Sequence, residues 1–239
     1  MRKVLITGGT RGIGRACVER FTESGDKVAF IYKSCNSAAN ELSDKKGAYP
    51  IKADVSNPSE IKRACAEALE YLGGIDILVN NAGISYTGLF TEMSDVRFKE
   101  VMDTNLSSAF YFSRELSPFM ISAKHGRIIN IGSVWGKYGA SCEVAYSASK
   151  AGVRGLTMAL ARELGPSGIT VNCVEPGVIE TDMNNIFDEE TRRSLAASSA
   201  LCRNGKADEV AEAVFFLASE KASFITAQML GVDGGFPLS

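Results

Sequence analysis

"KVLITGGTRGIGRA", residues 3–16, decides the fold. A short apolar run passes directly into a turn with glycines at 8, 9, 12 and 14, and a helical pattern follows. Glycine there allows a tight turn and a close backbone approach to a bound group, and the start of the next helix favours negative charge. Gly8, Gly12 and Gly14 are spaced G-x-x-x-G-x-G. The commoner G-x-G-x-x-G would want Gly or Ala where Cys17 stands. Alone, such a turn is weak evidence. Between the first strand and first helix of an alternating chain, it points to a pyrophosphate site built from Gly8, Gly9, Thr10, Arg11, Gly12, Ile13 and Gly14.

The alternation continues outward from that turn. Besides "KVLIT" (3–7), strands are expected at 27–32, 49–53, 75–80, 126–131 and 168–174, with a weaker one at 228–233. Helices are expected near 12–24, 36–45, 58–72, 94–123, 143–165 and 207–219. Most strands are continuously apolar, the pattern of strands covered on both faces. The fold class that follows is α/β: one Rossmann-type domain with a doubly wound parallel sheet of about seven strands. Residues 178–206 are polar and lack a strand. They follow the carboxyl end of the sixth strand, where such sheets bind ligands, so a substrate-covering insertion is expected there.

Composition narrows the function. The 239 residues are 45% hydrophobic and 23% charged, enough for a sizeable core. Net charge is −2 with scattered cations, which gives no electrostatic case for nucleic acid. No apolar run reaches the ~18 residues of a membrane span. The start shows a strand and glycines rather than a signal peptide. Cysteines 17, 35, 65, 142, 173 and 202 form no CxxC, so reduced thiols in a cytoplasm are expected, with no metal site. His125, the only histidine, stands beside Gly126 in an expected loop and reads as a surface residue.

Two features suggest chemistry. In "GASCEVAYSASK" (139–150), Tyr146 and Lys150 are four residues apart, hence on one helix face. A tyrosine with a pKa of about 10 becomes a useful proton donor if a nearby positive charge lowers that value, and Lys150 is placed to do so. The second strand ends "IYKS", with Lys33 where a carboxylate would bind a ribose 2′-hydroxyl and repel a 2′-phosphate. With Arg11 in the glycine turn, the charges favour NADPH over NADH.

Over its whole length the chain resembles the short-chain dehydrogenases/reductases and, within them, the 3-oxoacyl-(acyl-carrier-protein) reductases. The collinear matches are "TGGTRGIG", "ADV" (53–55), "NNAG" (80–83), "TNLSS" (104–108), "IINIGS" (128–133), "YSASK" (146–150), "GITVNCVEPG" (168–177) and "IETDM" (179–183). The resemblance implies an NADP-dependent carbonyl reductase whose catalytic residues are Asn105, Ser133, Tyr146 and Lys150. Ser133 would bind the substrate oxygen, and Asn105, in the long fourth helix, would hold a water relaying protons to Lys150. Asp54 and Val55 would hold the adenine, while Asn81, Ala82 and Gly83 would flank the cofactor. Pro176, Gly177, Ile179 and Thr181 would contact the nicotinamide end. An acyl-carrier partner, a role in fatty acid biosynthesis and a homotetramer are implied as well.

Carrier docking in that family uses cations near the active-site mouth; Lys124 matches one such position, while Ser167 replaces the other. The segment "SVWGKYGASCEVAYS" (133–147) is closer to a branch that reduces the 5-aminopentanone on elongation factor P, with Glu143 placed to receive an ammonium group.

Overall fold

A parallel strand can join its neighbour only through a crossover, and each expected helix supplies one. In a computed structural model describing residues 1–181 and 189–236, the strands are β1 (Lys3–Thr7), β2 (Lys27–Tyr32), β3 (Tyr49–Lys52), β4 (Ile77–Asn80), β5 (Gly126–Ile131), β6 (Ile169–Pro176) and β7 (Met229–Val232). They form one sheet in the order β3-β2-β1-β4-β5-β6-β7. All six pairings are parallel. Val4 pairs with Val28 on one side and Ile77 on the other, so the winding reverses beside β1. A crevice opens at the carboxyl ends of the strands at such a reversal.

The helices are α1 (Gly12–Glu23), α2 (Asn36–Lys46), α3 (Pro58–Leu72), α4 (Asp95–Met102), α5 (Ser108–Ala123), α6 (Trp135–Tyr138), α7 (Val144–Leu164), α8 (Glu189–Ala197) and α9 (Ala207–Leu217). One sheet face packs on Phe21 of α1, Leu42 of α2 and Val214 of α9, using Val4, Ile6, Phe30 and Val79. The other packs on Ile61 of α3, Phe112 and Leu116 of α5 and Leu164 of α7, using Leu5, Ile31, Leu78 and Ile128. Successive strand residues thus enter opposite cores, which explains their unbroken apolar sequences.

Local chemistry sets the boundaries. α3 starts where the Asn57 side chain accepts the Ser59 N–H, has Pro58 in its first turn, and stops at Gly73 with φ 73°. The expected single helix over 94–123 is instead α4, a π-helical turn at Asp103–Ser107, and α5. β6 extends through Glu175 and Pro176, beyond its expected end. Among the described residues, no helix is long and apolar enough to cross a membrane.

Candidate active site

The crevice is a cleft of about 1170 Å³ lined from every loop at the carboxyl edge of β1 to β6. Its first wall is the glycine turn. Gly8 has φ 70° and Gly12 φ 50°, conformations that favour glycine. Gly14 is needed for another reason: a Cβ there would lie 2.1 Å from the Gly8 carbonyl oxygen and 2.4 Å from Asn81 Nδ2. A Cβ on Gly9 would lie 2.7 Å from the Phe30 side chain. Gly9 and Gly14 therefore pack the turn from behind, whereas Gly8, Thr10, Arg11, Gly12 and Ile13 face the cleft.

α1 begins with no side-chain cap and no acidic residue in its first turn, so its leading N–H groups are left for an anion. Exposed Arg11 beside them has no ion pair among the described residues. This donor set fits a nicotinamide dinucleotide's pyrophosphate.

Thr7, which the sequence did not single out, ties the reversal point together. Its hydroxyl accepts the N–H groups of Asn81 and Ala82, each at 2.9 Å. Asn81 Nδ2 donates to the carbonyls of Thr7 at 2.9 Å and Gly8 at 3.2 Å. Thr7 is 2% exposed, and its role is to hold the Asn81–Gly83 loop against the glycine turn.

At the far end of the cleft, Lys33 Nζ lies 2.7 Å from Asp54 Oδ2. Burial pushes the Asp54 carboxyl up, but Lys33 and the N–H and O–H of Ser56 outweigh it and hold it below its usual value. Lys33 is raised in turn, chiefly by its hydrogen bond to Asp54. The expected free cation is thus anchored to the expected adenine-side carboxylate. Ser34, Cys35 and Val55 complete this end.

The chemical end gathers on α7. Tyr146 and Lys150 line the cleft from successive turns, with Lys150 Nζ 5.7 Å from the tyrosine ring centre and donating to the Ile131 carbonyl at 2.8 Å. Ser133 lines the cleft beside the Tyr146 phenol and accepts the Trp135 N–H at 3.2 Å. Burial pushes Tyr146 up to about 12, with Ser133 opposing and the Glu143 charge adding. The lowering expected from Lys150 is not found: desolvation of the phenolate is the largest effect, and Lys150 is not among the groups that oppose it. Burial also lowers Lys150 to about 8, against a smaller opposing effect of Cys173.

Asn105 sits in the π turn rather than in a regular helix. Its Oδ1 accepts the Ile84 N–H at 2.8 Å, and its Nδ2 donates to the Ile84 carbonyl at 2.9 Å and to Ser149 Oγ at 3.0 Å. Both amide hydrogens are therefore committed to holding the loop after β4. A Cβ on Gly83 would lie 3.4 Å from Asn105 Oδ1 and 3.6 Å from Lys150 Nζ, so these groups converge on one point.

Glu143 is half-buried on the cleft wall, and burial raises its carboxyl pKa. It stands at the N-cap of α7, yet its side chain makes no capping hydrogen bond, and it has no ion pair among the described residues.

Pro176 at the end of β6 and Gly177, Ile179 and Thr181 beyond it line the cleft, joined by Thr191 and Leu195 of α8. Asp182 and Met183 of the "IETDM" motif lie outside the described residues. Lys124 and Ser167 directly precede β5 and β6, at the amino edge of the sheet and opposite the cleft. The expected position at the mouth is therefore not reached within one chain. His125 shares that edge, 4.0 Å from Glu220.

A family model described as enoyl-(acyl carrier protein) reductase matches residues 8–237. The chain is 42% identical over 233 residues to the 3-oxoacyl-[acyl-carrier-protein] reductase FabG of Escherichia coli K12, covering 97% of this chain and 95% of the relative. The Aquifex aeolicus protein of that name is 41% identical over 236 residues, with 97% and 95% covered. The Staphylococcus aureus Mu50 protein is 38% identical over 239 residues, with 98% and 97% covered.

Proposed function

The chain belongs to the short-chain dehydrogenase/reductase family, and on that footing we propose that it reduces carrier-bound 3-oxoacyl groups with NADPH, Tyr146 being the proton donor. The observation that carries this reading is the placing of the Ser133 and Tyr146 hydroxyls side by side on the cleft wall with Lys150 one turn away. Two hydroxyls meeting there can hold one carbonyl oxygen.

When bound, NADPH supplies the hydride. Tyr146 passes its proton to the oxygen of the reduced carbonyl, while Ser133 donates to that oxygen and fixes its position. A phenol pushed up to about 12 is fully protonated at neutral pH, which suits the reductive direction. Lys150, when charged, stabilises the phenolate left behind. Asn105 holds the Ile84 backbone and, with Gly83, brackets the place where a water would relay a proton to Lys150.

The Gly8–Gly14 turn cradles the pyrophosphate, with Arg11 and Lys33 towards the 2′-phosphate and Asp54 and Val55 at the adenine. Asn81, Ala82 and Gly83 flank the cofactor, and Pro176, Gly177, Ile179 and Thr181 meet the nicotinamide end. We assign substrate covering to the 178–206 segment, of which residues 182–188 lie outside the described residues; Thr191 and Leu195 on the cleft wall support this role.

We place the enzyme in the cytoplasm as a homotetramer. Exposed Phe110 and Phe119 on α5 and Val144 and Met158 on α7 offer apolar packing faces. A carrier protein held at Lys124 would reach a cleft in a neighbouring copy.

Turnover of acetoacetyl-carrier protein, followed by NADPH oxidation, tests this reading. Tyr146→Phe should lower kcat by about 100-fold or more while leaving the NADPH dissociation constant within about three-fold. Wild-type-like turnover in the folded variant would refute the assignment.

The Glu143 carboxylate, unpaired among the described residues, favours a second reading: an amino-ketone substrate such as 5-aminopentanone on elongation factor P. A charge-assisted contact of about 1.5–3 kcal/mol corresponds to roughly 10- to 150-fold in affinity. Glu143→Gln should then raise KM at least several-fold for an amino-ketone and leave a neutral β-ketoester nearly unaffected. An equal response from both substrates, or from neither, would leave the carrier-bound 3-oxoacyl reading alone.

A further inference from the structure

Behind the cleft lies a part-buried ion pair that the reaction just described does not use. Glu175 is 4% exposed and sits in β6, directly before the cleft-lining Pro176. Arg154 of α7 forms a salt bridge to its Oε1. Arg154 is one helical turn beyond Lys150 and two beyond Tyr146, so all three occupy one face of α7.

The carboxylate side also reaches the substrate-binding loop. A Cβ on Gly132 would lie 2.7 Å from Cys173 Sγ and 3.1 Å from Glu175 Cγ, so these two side chains fill the space over the residue before Ser133. The Gly132 N–H donates to the Val174 carbonyl at 2.7 Å and the Val134 N–H to the Pro176 carbonyl at 3.0 Å, clamping the Ser133 loop to the end of β6.

We propose that Arg154 and Glu175 are positioning residues that hold α7, with Tyr146 and Lys150, in register with the Ser133 loop and balance the charge felt by Lys150. Around Lys150 stand Tyr146 on its own helix, Cys173 from β6, the Ile131 carbonyl from β5 and Asn105 from the π turn, while Arg154 and Glu175, which also act on Lys137 of α6, form a charged group beyond Cys173. Cys173 lies among Lys150, Arg154 and Glu175 and feels all three charges. With the pair intact, neither partner is among the groups that shift Lys150. Removing one partner leaves the other uncompensated in a poorly screened place.

This rests on Lys150 assisting the proton donor, and its test is the pH profile of kcat for 3-oxoacyl reduction by the full-length chain. Glu175→Gln leaves the Arg154 cation, which disfavours a charged Lys150, so the alkaline limb should move down by about half a pH unit or more. Arg154→Met leaves the Glu175 carboxylate and should move it up. Each single variant should lose about ten-fold or more in kcat, with the NADPH dissociation constant within about three-fold of wild type. The neutral double variant should return the limb towards the wild-type position, and Arg154→Lys should rescue more of kcat than Arg154→Met.

Limbs that stay fixed, or move the same way, in variants with lowered melting temperatures would overturn the inference and leave a merely structural ion pair. If Arg154→Met does not fold, Glu175→Gln and the double variant carry the same opposition. A wild-type profile without an alkaline limb would instead overturn the underlying role of Lys150.

Discussion

Lys33 shows how far one residue can be read. Its type and place after β2 were legible, because a cation replaces the carboxylate that would repel a 2′-phosphate. Its 2.7 Å bridge to Asp54 was not, because the two meet only once β2 and β3 pair. The bridge sharpens the expected effect of substitution. K33D removes a cation and sets two carboxylates beside each other, so NADPH should bind about ten-fold or more weakly, with relative use of NADH improved. Dissociation constants for both cofactors, measured by fluorescence titration, decide this. An unchanged NADPH/NADH ratio would assign 2′-phosphate recognition to Arg11 alone. The same limit explains Thr7 and Tyr146. A threonine ending a strand carries no local mark of its bonds to Asn81 and Ala82, and burial strong enough to push a phenol up to about 12 is a tertiary property.

Elements were legible where their signals are local. The first two strands and α3 begin and end where expected, because apolar runs and glycine or proline punctuation mark them. The stretch 94–123 reads as one helix because a π turn adds a residue without interrupting helical composition. In that turn Asn105 bonds the Ile84 backbone. The sequence pattern ends β6 at Val174 because Glu-Pro resembles a strand's end. Yet Pro176 pairs in register with Val232 of β7, next to the last strand, where a missing N–H is more easily accommodated. α6 is a single turn and α8 is mostly polar, so neither shows the apolar periodicity that identifies a helix. Both were missed, and both border the cleft.

At the scale of the whole molecule, one sheet belongs to two cores, and this governs how the protein unfolds. Leu78 pairs with Leu5 and Ile128 across the centre of the sheet and enters the core under α3 and α5. Phe30 enters the opposite core with Phe21 and Val214. Both side chains are 0% exposed. Neither core can come apart without removing the strands that form the floor of the other, so the two should melt together. Leu78→Ala and Phe30→Ala should each cost about 2–5 kcal/mol through lost burial and a residual cavity. For a chain of this size that lowers the melting temperature by roughly 4–20 °C. Far-UV circular dichroism follows the whole sheet, while the fluorescence of the single tryptophan, Trp135, reports from the cleft. In both variants the two signals should shift together and stay superimposed. If Phe30→Ala lowered the dichroism transition and left the Trp135 transition at the wild-type temperature, the two faces would be separate folding units, and the cleft would owe its order to only one of them.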